Sequence, residues 1–224
     1  CGTICFVIHP ATDGRENRMK RREELPMALR GMPFWAWNTI LDADKIREQI
    51  ATFAEMGFGG FVIHARNGLC TPYLGKTYLE MVKLAVECAK QHGMKVWLYD
   101  EDRWPSGCAG GYVTVERRFR QKFVLFTKDQ LSCTSAEQGI REGKPYLLAA
   151  YSVSIDREGT LTGYTVTDEK HANLYAYVMT AEDTPRFNGQ AYVDTMNPEA
   201  VSRFIELTYE EYREALGEDF GKTV

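Results

Sequence analysis

Apolar and polar residues follow two different rhythms along the 224 residues of the chain. In the first half, short apolar runs alternate with stretches in which apolar residues recur every three or four positions. This pattern predicts strands joined by amphipathic helices, which implies parallel strands and right-handed crossovers. The predicted strands cover 33–38, 58–66 and 95–101, and the predicted helices cover 42–56 and 76–92.

The second rhythm has a period of two, which is typical of antiparallel strands. It predicts strands over 122–127, 146–155, 161–166 and 174–179, with a hairpin turn at Arg157-Glu158-Gly159. A fourth strand of the core sheet is then predicted over 191–196, and a helix capped by Asn197 follows it to about Leu216. The antiparallel stretch therefore reads as an insertion within a strand–helix pattern.

The predicted elements fit an α/β fold, a partial (β/α)8 TIM-type barrel of about four βα units with a β-rich insertion, because a closed barrel needs about 250 residues for itself. A small open α/β sheet is the alternative. The chain begins with Cys1 rather than Met, so we expect it to be cut at both ends and to lack the C-terminal half of the barrel. The predicted domains are a weakly ordered leader (1–32), the first three βα units (33–116), the β-rich insertion (117–189), and a fourth strand with its helix and the start of the next strand (190–224).

Polar and aromatic side chains stand where the predicted strands end. Because the C-terminal ends of parallel strands in a barrel share one rim, we expect these side chains to converge there. Carboxylates at such a rim can transfer protons or accept hydrogen bonds from sugar hydroxyls, and aromatic rings can stack on a sugar face. The candidate catalytic residues are Glu101 and Asp194, and the candidate substrate-binding residues are Trp37, Asn38, His64, Arg66, Tyr73, Tyr99, Asp100 and Trp104.

These candidates also have structural interpretations. Glu101 could form a salt bridge with Arg66 or Arg103, and the two tryptophans could belong to the core. Asp100 could cap or brace the loop over 104–111. The glycines of that loop match neither GxxxxGK[ST] nor GxGxxG, so they predict a tight turn and not a phosphate site.

Composition narrows the function classes. A net charge of −4 without a basic block gives no support for nucleic-acid or anionic-membrane partners, and no stretch has the length and apolarity of a membrane span. Six scattered cysteines without a CxxC pair indicate reduced thiols, and the apolar run over 4–8 is too short for a signal peptide. We therefore expect a cytoplasmic protein. This expectation is based on a sequence whose N-terminus looks incomplete. No cofactor is expected, since no metal-binding motif occurs, and a divalent cation such as calcium stays open as an alternative.

Four segments of the sequence, in order along the chain, carry a resemblance: PFWAWN, GFGGFVIHARNGLCTPYLG, GMKVWLYDEDRWPSGCAGG and YVDTMNPEAVSRFI. Over about residues 33–224 they resemble the N-terminal catalytic region of large bacterial glycoside hydrolases related to the α-L-rhamnosidases of glycoside hydrolase family 106, or labelled family 2-like sugar-binding hydrolases. The resemblance implies a barrel with a β-rich insertion, hydrolysis of glycosidic bonds by two carboxylates, and a carbohydrate partner. It also implies a later strand ending in an acidic FTDEP-like motif, so we expect one catalytic carboxylate beyond Val224. The sequence departs from its relatives at Gly75 and Tyr78, where Ser and Trp are common, and this weakens the start of the second helix.

Three hypotheses about function follow. The leading one is a rhamnosidase-like glycosidase whose N-terminal barrel portion this chain supplies, and we expect the chain alone to be inactive. The alternative is a non-catalytic carbohydrate-binding or structural fragment. A barrel enzyme of other chemistry, such as an aldolase or a metal-dependent hydrolase, is less favoured because no lysine stands at a predicted strand end. Uncovered strand edges also predict self-association of the chain.

Overall fold

The computed structural model describes residues 25–187 and 189–224, so the predicted leader lies mostly outside the described residues. Contacts divide the described chain into two compact units. The first unit comprises the described residues up to Tyr99 together with Ala215–Val224, and the second unit is Asp100–Glu214.

The first unit contains a three-stranded parallel sheet with the strand order β1-β2-β3. Trp35 of β1 stands opposite Ile63 of β2, and Trp37 stands opposite Ala65. The strand–helix alternation predicted for this half is confirmed, with boundaries that differ by at most two residues. Its elements are β1 (Phe34–Trp37), α1 (Ala43–Glu55), β2 (Gly60–Ala65), α2 (Lys76–Gln91) and β3 (Lys95–Asp102).

Local chemistry sets the ends of the two helices. The Asp42 side chain accepts hydrogen bonds from the backbone N–H groups of Asp44 and Lys45, which is the predicted N-cap of α1. Gly57 ends that helix with a φ of 77°, a conformation that favours glycine. Gly75 precedes α2 and supplies no side-chain cap, as expected from the missing serine.

Among the described residues of the first unit, one face of the parallel sheet is packed more deeply than the other. On the covered face, Trp35 packs edge-on against Phe61 and against Trp37, with ring centroids 5.2 and 5.4 Å apart. On the opposite face, Phe34 is 60% exposed and Trp97 is 61% exposed. The covered face is the hydrophobic core of this unit, and the other face carries large apolar side chains in contact with solvent.

The predicted fourth core strand over 191–196 is wrong. Instead of a strand, this segment makes an isolated antiparallel bridge between Val193 and Arg120, and its backbone groups bond to those of Phe119 and Gln121. The segment therefore pairs with the backbone around Phe119 and Gln121 and not with the parallel sheet, as the pattern had suggested. At the edge of β3, where a fourth core strand would have paired, the Val96 N–H donates to the carbonyl oxygen of Thr223 at 2.8 Å. A full barrel is not present among the described residues.

The second unit contains a four-stranded antiparallel sheet with the strand order β4-β7-β5-β6. Its strands match the predicted ones to within one residue, and Gly159 closes the predicted hairpin by donating its N–H to the carbonyl oxygen of Asp156. A short additional strand lies over Thr184–Phe187, where no strand was predicted. The elements are β4 (Lys122–Thr127), α3 (Ala136–Glu142), β5 (Tyr146–Ile155), β6 (Leu161–Thr167), β7 (Leu174–Thr180) and β8 (Thr184–Phe187).

The last helical run is α4 (Pro198–Ile205), a π-helical turn over Glu206–Glu210, and α5 (Glu211–Leu216). Asn197 caps it as predicted, by accepting a hydrogen bond from the Glu199 N–H. The π turn was not predicted. It contains a buried Thr208, whose hydroxyl donates to the carbonyl oxygen of Phe204 at 2.6 Å and thus competes with the regular helix ladder. Among the helices of the described residues, none combines the length and apolarity needed to cross a membrane.

Candidate functional site

The end of β3 and the glycine-rich loop after it form one hydrogen-bonded structure around Glu101. The Glu101 side chain is 1% exposed. Its Oε1 accepts from the backbone N–H groups of Asp102 and Gly110, and its Oε2 accepts from those of Gly107, Cys108 and Ala109. The Oε2 bonds measure 2.7–3.0 Å between nitrogen and oxygen. We call this carboxylate with its five N–H donors the Glu101 nest.

The backbone conformation of the loop makes the nest possible. Gly107 has a φ of 131° and Gly110 has a φ of 65°, so the chain turns its N–H groups towards one point. A side chain at Gly107 would also collide, because a Cβ there would lie 2.5 Å from Cγ1 of Val193. The loop therefore needs glycine at this position for both its dihedral angle and its packing.

Burial and hydrogen bonding act on Glu101 in opposite directions. Burial is the larger effect and raises the pKa of this carboxyl, while the hydrogen bonds from the backbone favour its ionised form. Two carboxylate oxygens offer about four lone-pair sites, so a proton on either oxygen would displace an N–H donor from the nest. The predicted catalytic role of Glu101 stays a prediction, and its contacts favour a positioning role for the loop.

Asp100 braces the same loop through its two carboxylate oxygens. Oδ1 accepts from the hydroxyl of Ser106 and Oδ2 accepts from the hydroxyl of Tyr209, both at 2.6 Å. The hydrogen bond to Asp100 raises the pKa of Tyr209 to about 12. Tyr209 lies in the π turn, which thus places a hydroxyl that the bracing interpretation of Asp100 did not foresee. The contacts correspond to the structural alternative named for Asp100.

Beside the nest lies a recess, which we call the Trp104 recess. Trp104 is 62% exposed at its rim, and its interior has about the size of one water molecule. Phe187 of β8 stacks on Tyr192 with ring centroids 5.3 Å apart, and the guanidinium of Arg186 lies 5.5 Å from the Phe187 ring centroid. The recess is lined by Glu101, Asp102, Arg103, Trp104, Pro105, Cys108, Gly110, Gly111, Arg186 and Phe187.

Three residues of the Trp104 recess were missed by sequence reasoning: Asp102, Arg186 and Phe187. The Asp102 side chain is 9% exposed and its Oδ2 lies 3.7 Å from Nε of Arg103. Burial raises the pKa of the Asp102 carboxyl, and the charge of Arg103 acts against that shift. The acidic run at the end of β3 was a visible signal for Asp102, whereas no motif or predicted element pointed to Arg186 or Phe187.

Asp194, the second candidate catalytic carboxylate, makes its hydrogen bonds with residues outside the Glu101 nest. Its Oδ2 is 3.0 Å from Nζ of Lys122, and its Oδ1 accepts from the Met196 N–H. These contacts tie the segment before α4 to the start of β4. The catalytic role of Asp194 also stays a prediction.

The remaining candidates lie in the first unit. His64 is 3% exposed, and its ring centroid lies 4.0 Å from that of Tyr99 and 4.7 Å from that of Phe34. The structure thus brings His64 and Tyr99 together, while Asn38 and Arg66 are exposed.

Trp37 and Tyr73 belong to the core of the first unit. Trp37 is 2% exposed and Tyr73 is 6% exposed. Both rings pack edge-on against Tyr78, with centroid distances of 5.5 and 5.2 Å. This packing corresponds to the core interpretation of Trp37, because little of either ring is accessible to a ligand.

Two further observations concern possible metal ligands and the Cys108 thiol. Within 25–187 and 189–224, no three His, Cys, Asp or Glu side chains cluster in a way that could hold a metal ion. Burial raises the pKa of the Cys108 thiol to about 12, so this sulfur is protonated at neutral pH and a poor nucleophile.

Comparisons with known proteins add little to this geometry. No family model matches the chain, and no curated protein matches it. Among solved structures, it is similar to a rhamnosidase from Novosphingobium sp. PP1Y, with 15% sequence identity and a TM-score of 0.39. The similarity covers 62% of this chain and 12% of that chain, so this chain matches only a small part of that protein's length. A likeness of this degree carries no argument about function, and the family resemblance stays an expectation.

Proposed function

We propose that this chain supplies the N-terminal part of a rhamnosidase-like glycoside hydrolase domain, built on a partial barrel, and that the loop after β3 binds the carbohydrate. The observation that carries the proposal is Trp104, an exposed ring on a loop whose backbone is fixed by the Glu101 nest. Aromatic rings stack on the apolar faces of sugars, and a rigid support lowers the entropic cost of binding.

In this proposal, neighbouring residues of the recess have different roles. Trp104 stacks on the sugar ring, Asp102 presents its carboxyl to sugar hydroxyls, and Glu101 holds the loop. Burial raises the pKa of both carboxyls, so their hydrogen bonds decide between them. Asp102 is the better acid candidate, because Glu101 already accepts five backbone hydrogen bonds. This assignment replaces a role for Glu101 in proton transfer with a role in positioning.

One observation favours a second candidate, a non-catalytic carbohydrate-binding module. Both carboxylates predicted to be catalytic are fully engaged, Glu101 by backbone N–H groups and Asp194 by Lys122. A module that only binds sugar needs the ring of Trp104 and no free carboxylate pair.

Binding and hydrolysis measured on the purified chain test these proposals. Titration with a panel of saccharides that includes L-rhamnose should detect binding that Trp104→Ala abolishes. Tyr164→Ala is the matched control, because Tyr164 is 66% exposed and lies on β6 of the antiparallel sheet. Hydrolysis of aryl glycosides that Asp102→Asn abolishes would favour the enzyme over the module, because a module that only binds sugar cleaves no glycosidic bond. If no saccharide binds, or if Trp104→Ala binds like the parent chain, the proposed function is wrong.

A further inference from the structure

We infer that the Trp104 recess selects a saccharide that carries a carboxylate, and that Arg186 is the residue that recognises the charge. This inference rests on the proposed function, since it names the substrate class of the same recess. Two arginines and two aromatic residues line it, which is an unusual combination for a site that only stacks on neutral sugars.

The acidic residues of the recess already have partners. The two acidic residues that line it are Glu101 and Asp102. Glu101 accepts hydrogen bonds from five N–H donors, and Oδ2 of Asp102 lies 3.7 Å from Nε of Arg103. Arg186 is exposed and takes part in none of the ion pairs found in the described part of the chain. Its guanidinium is therefore the cation of this rim that is available to a ligand.

The setting of Arg186 prepares its guanidinium for a carboxylate. The group lies over the Phe187 ring, and that ring stacks in turn on Tyr192. The Arg186 N–H donates to the hydroxyl of Thr184 at 3.1 Å, which fixes the backbone of β8 at this point. A planar guanidinium with restricted freedom offers two parallel N–H donors, and these match the two oxygens of a carboxylate.

The size of the recess decides how such a ligand would lie. Because the interior has room for about one water molecule, a sugar ring cannot enter it and must lie across the rim. In that position the ring meets Trp104, and a carboxylate substituent meets Arg186. A neutral sugar would keep only the contact with Trp104, and a simple anion would keep only the contact with Arg186.

Calorimetric titration of the 1–224 chain with three probes tests the inference. The probes are an oligomer of galacturonic acid, the matching oligomer of neutral galactose, and inorganic phosphate. A charge-assisted contact contributes about 1.5–3 kcal/mol, so we expect the acidic oligomer to bind at least about tenfold more tightly than the neutral one. Phosphate should bind far more weakly than the acidic oligomer, and added salt should reduce the preference.

Variants identify the residue responsible. Arg186→Gln should lower the affinity for the acidic oligomer to that for the neutral one, and Arg186→Lys should keep part of the preference. Arg157→Gln is the matched control, because Arg157 is an exposed arginine in the turn between β5 and β6. Equal affinities for the acidic and neutral oligomers would overturn the inference while leaving the proposed function standing. A preference that survives Arg186→Gln would also overturn it, and absence of binding to either oligomer would overturn the inference together with the proposed function.

Discussion

Replacing Glu101 by glutamine is the smallest change that tests whether its carboxylate holds the glycine-rich loop. The two side chains have nearly the same shape, so packing is preserved and only the hydrogen bonding changes. In the parent chain, Oε1 accepts from two N–H groups and Oε2 accepts from three. The amide group of glutamine keeps one oxygen acceptor and turns the other position into a donor.

The size of the effect follows from this count. If the amide nitrogen takes the place of Oε1, the N–H groups of Asp102 and Gly110 lose their acceptor; if it takes the place of Oε2, three N–H groups lose theirs. A buried donor without a partner costs about 1–3 kcal/mol. The more favourable orientation therefore lowers the free energy of unfolding by about 2–6 kcal/mol, a large share of the ~5–15 kcal/mol of a typical domain.

Urea-induced unfolding followed by circular dichroism measures this loss. The difference in tryptophan fluorescence between Glu101→Gln chains with and without Trp104→Phe reports on Trp104, which is one of four tryptophans. The matched control is Glu182→Gln, which removes an exposed carboxylate from its ion pair with Arg117. Because that pair is exposed, the control should change the free energy of unfolding by less than about 1 kcal/mol. A value for Glu101→Gln within about 0.5 kcal/mol of the parent would refute the proposal that the nest holds the loop.

Two further predictions concern the packing and the bracing of the loop. Gly107→Ala should lower the free energy of unfolding by about 1–3 kcal/mol in the same urea experiment, because its Cβ would lie 2.5 Å from Cγ1 of Val193. The control Gly163→Ala should have little effect, because no atom lies within 4 Å of the added Cβ. Similar losses for both variants would contradict the collision. The bond from Tyr209 to Asp100 raises the pKa of this phenol from 10.0 to about 12, so its contribution to stability is complete below pH 10 and disappears as the pH rises through about 12. The stability difference between the parent and Tyr209→Phe, measured as unfolding midpoints across that range, should therefore shrink with rising pH, and a difference independent of pH would argue against the bond.

Periodicity predicted most elements of the fold because each element depends on its own residues. The helix that begins after Asp42 needs a capping side chain and an apolar face, and both are local. The segment over 191–196 shows the limit of this reasoning. Its alternation is that of a strand, yet the choice of partner was decided by Phe119 and Gln121, whose backbone groups bond to it. A pattern of period two indicates that a segment can pair as a strand, but it does not indicate which segment is its partner.

The candidate site was predictable only in outline for a related reason. An acidic run that enters a glycine-rich loop indicates a strand end with polar chemistry, and this much was visible. Whether the carboxylate faces a ligand or the loop's own N–H groups depends on dihedral angles such as that of Gly107. Arg186 and Phe187 reach the recess from a strand much later in the chain, and no local signal relates them to Trp104.

The two roles considered for Glu101 exclude each other at this loop. A general acid must gain and lose a proton during each turnover, and each protonation of Glu101 would release an N–H donor and loosen the backbone that carries Trp104. A carboxylate that stays ionised keeps the loop in one conformation and keeps the ring of Trp104 exposed. Three consecutive residues at the strand end thus have different roles: Asp100 braces the loop, Glu101 organises it, and Asp102 lines the recess. On this reasoning, loss of sugar binding in Glu101→Gln accompanied by an altered Trp104 environment indicates positioning. Loss of hydrolysis with the loop and its binding intact indicates catalysis.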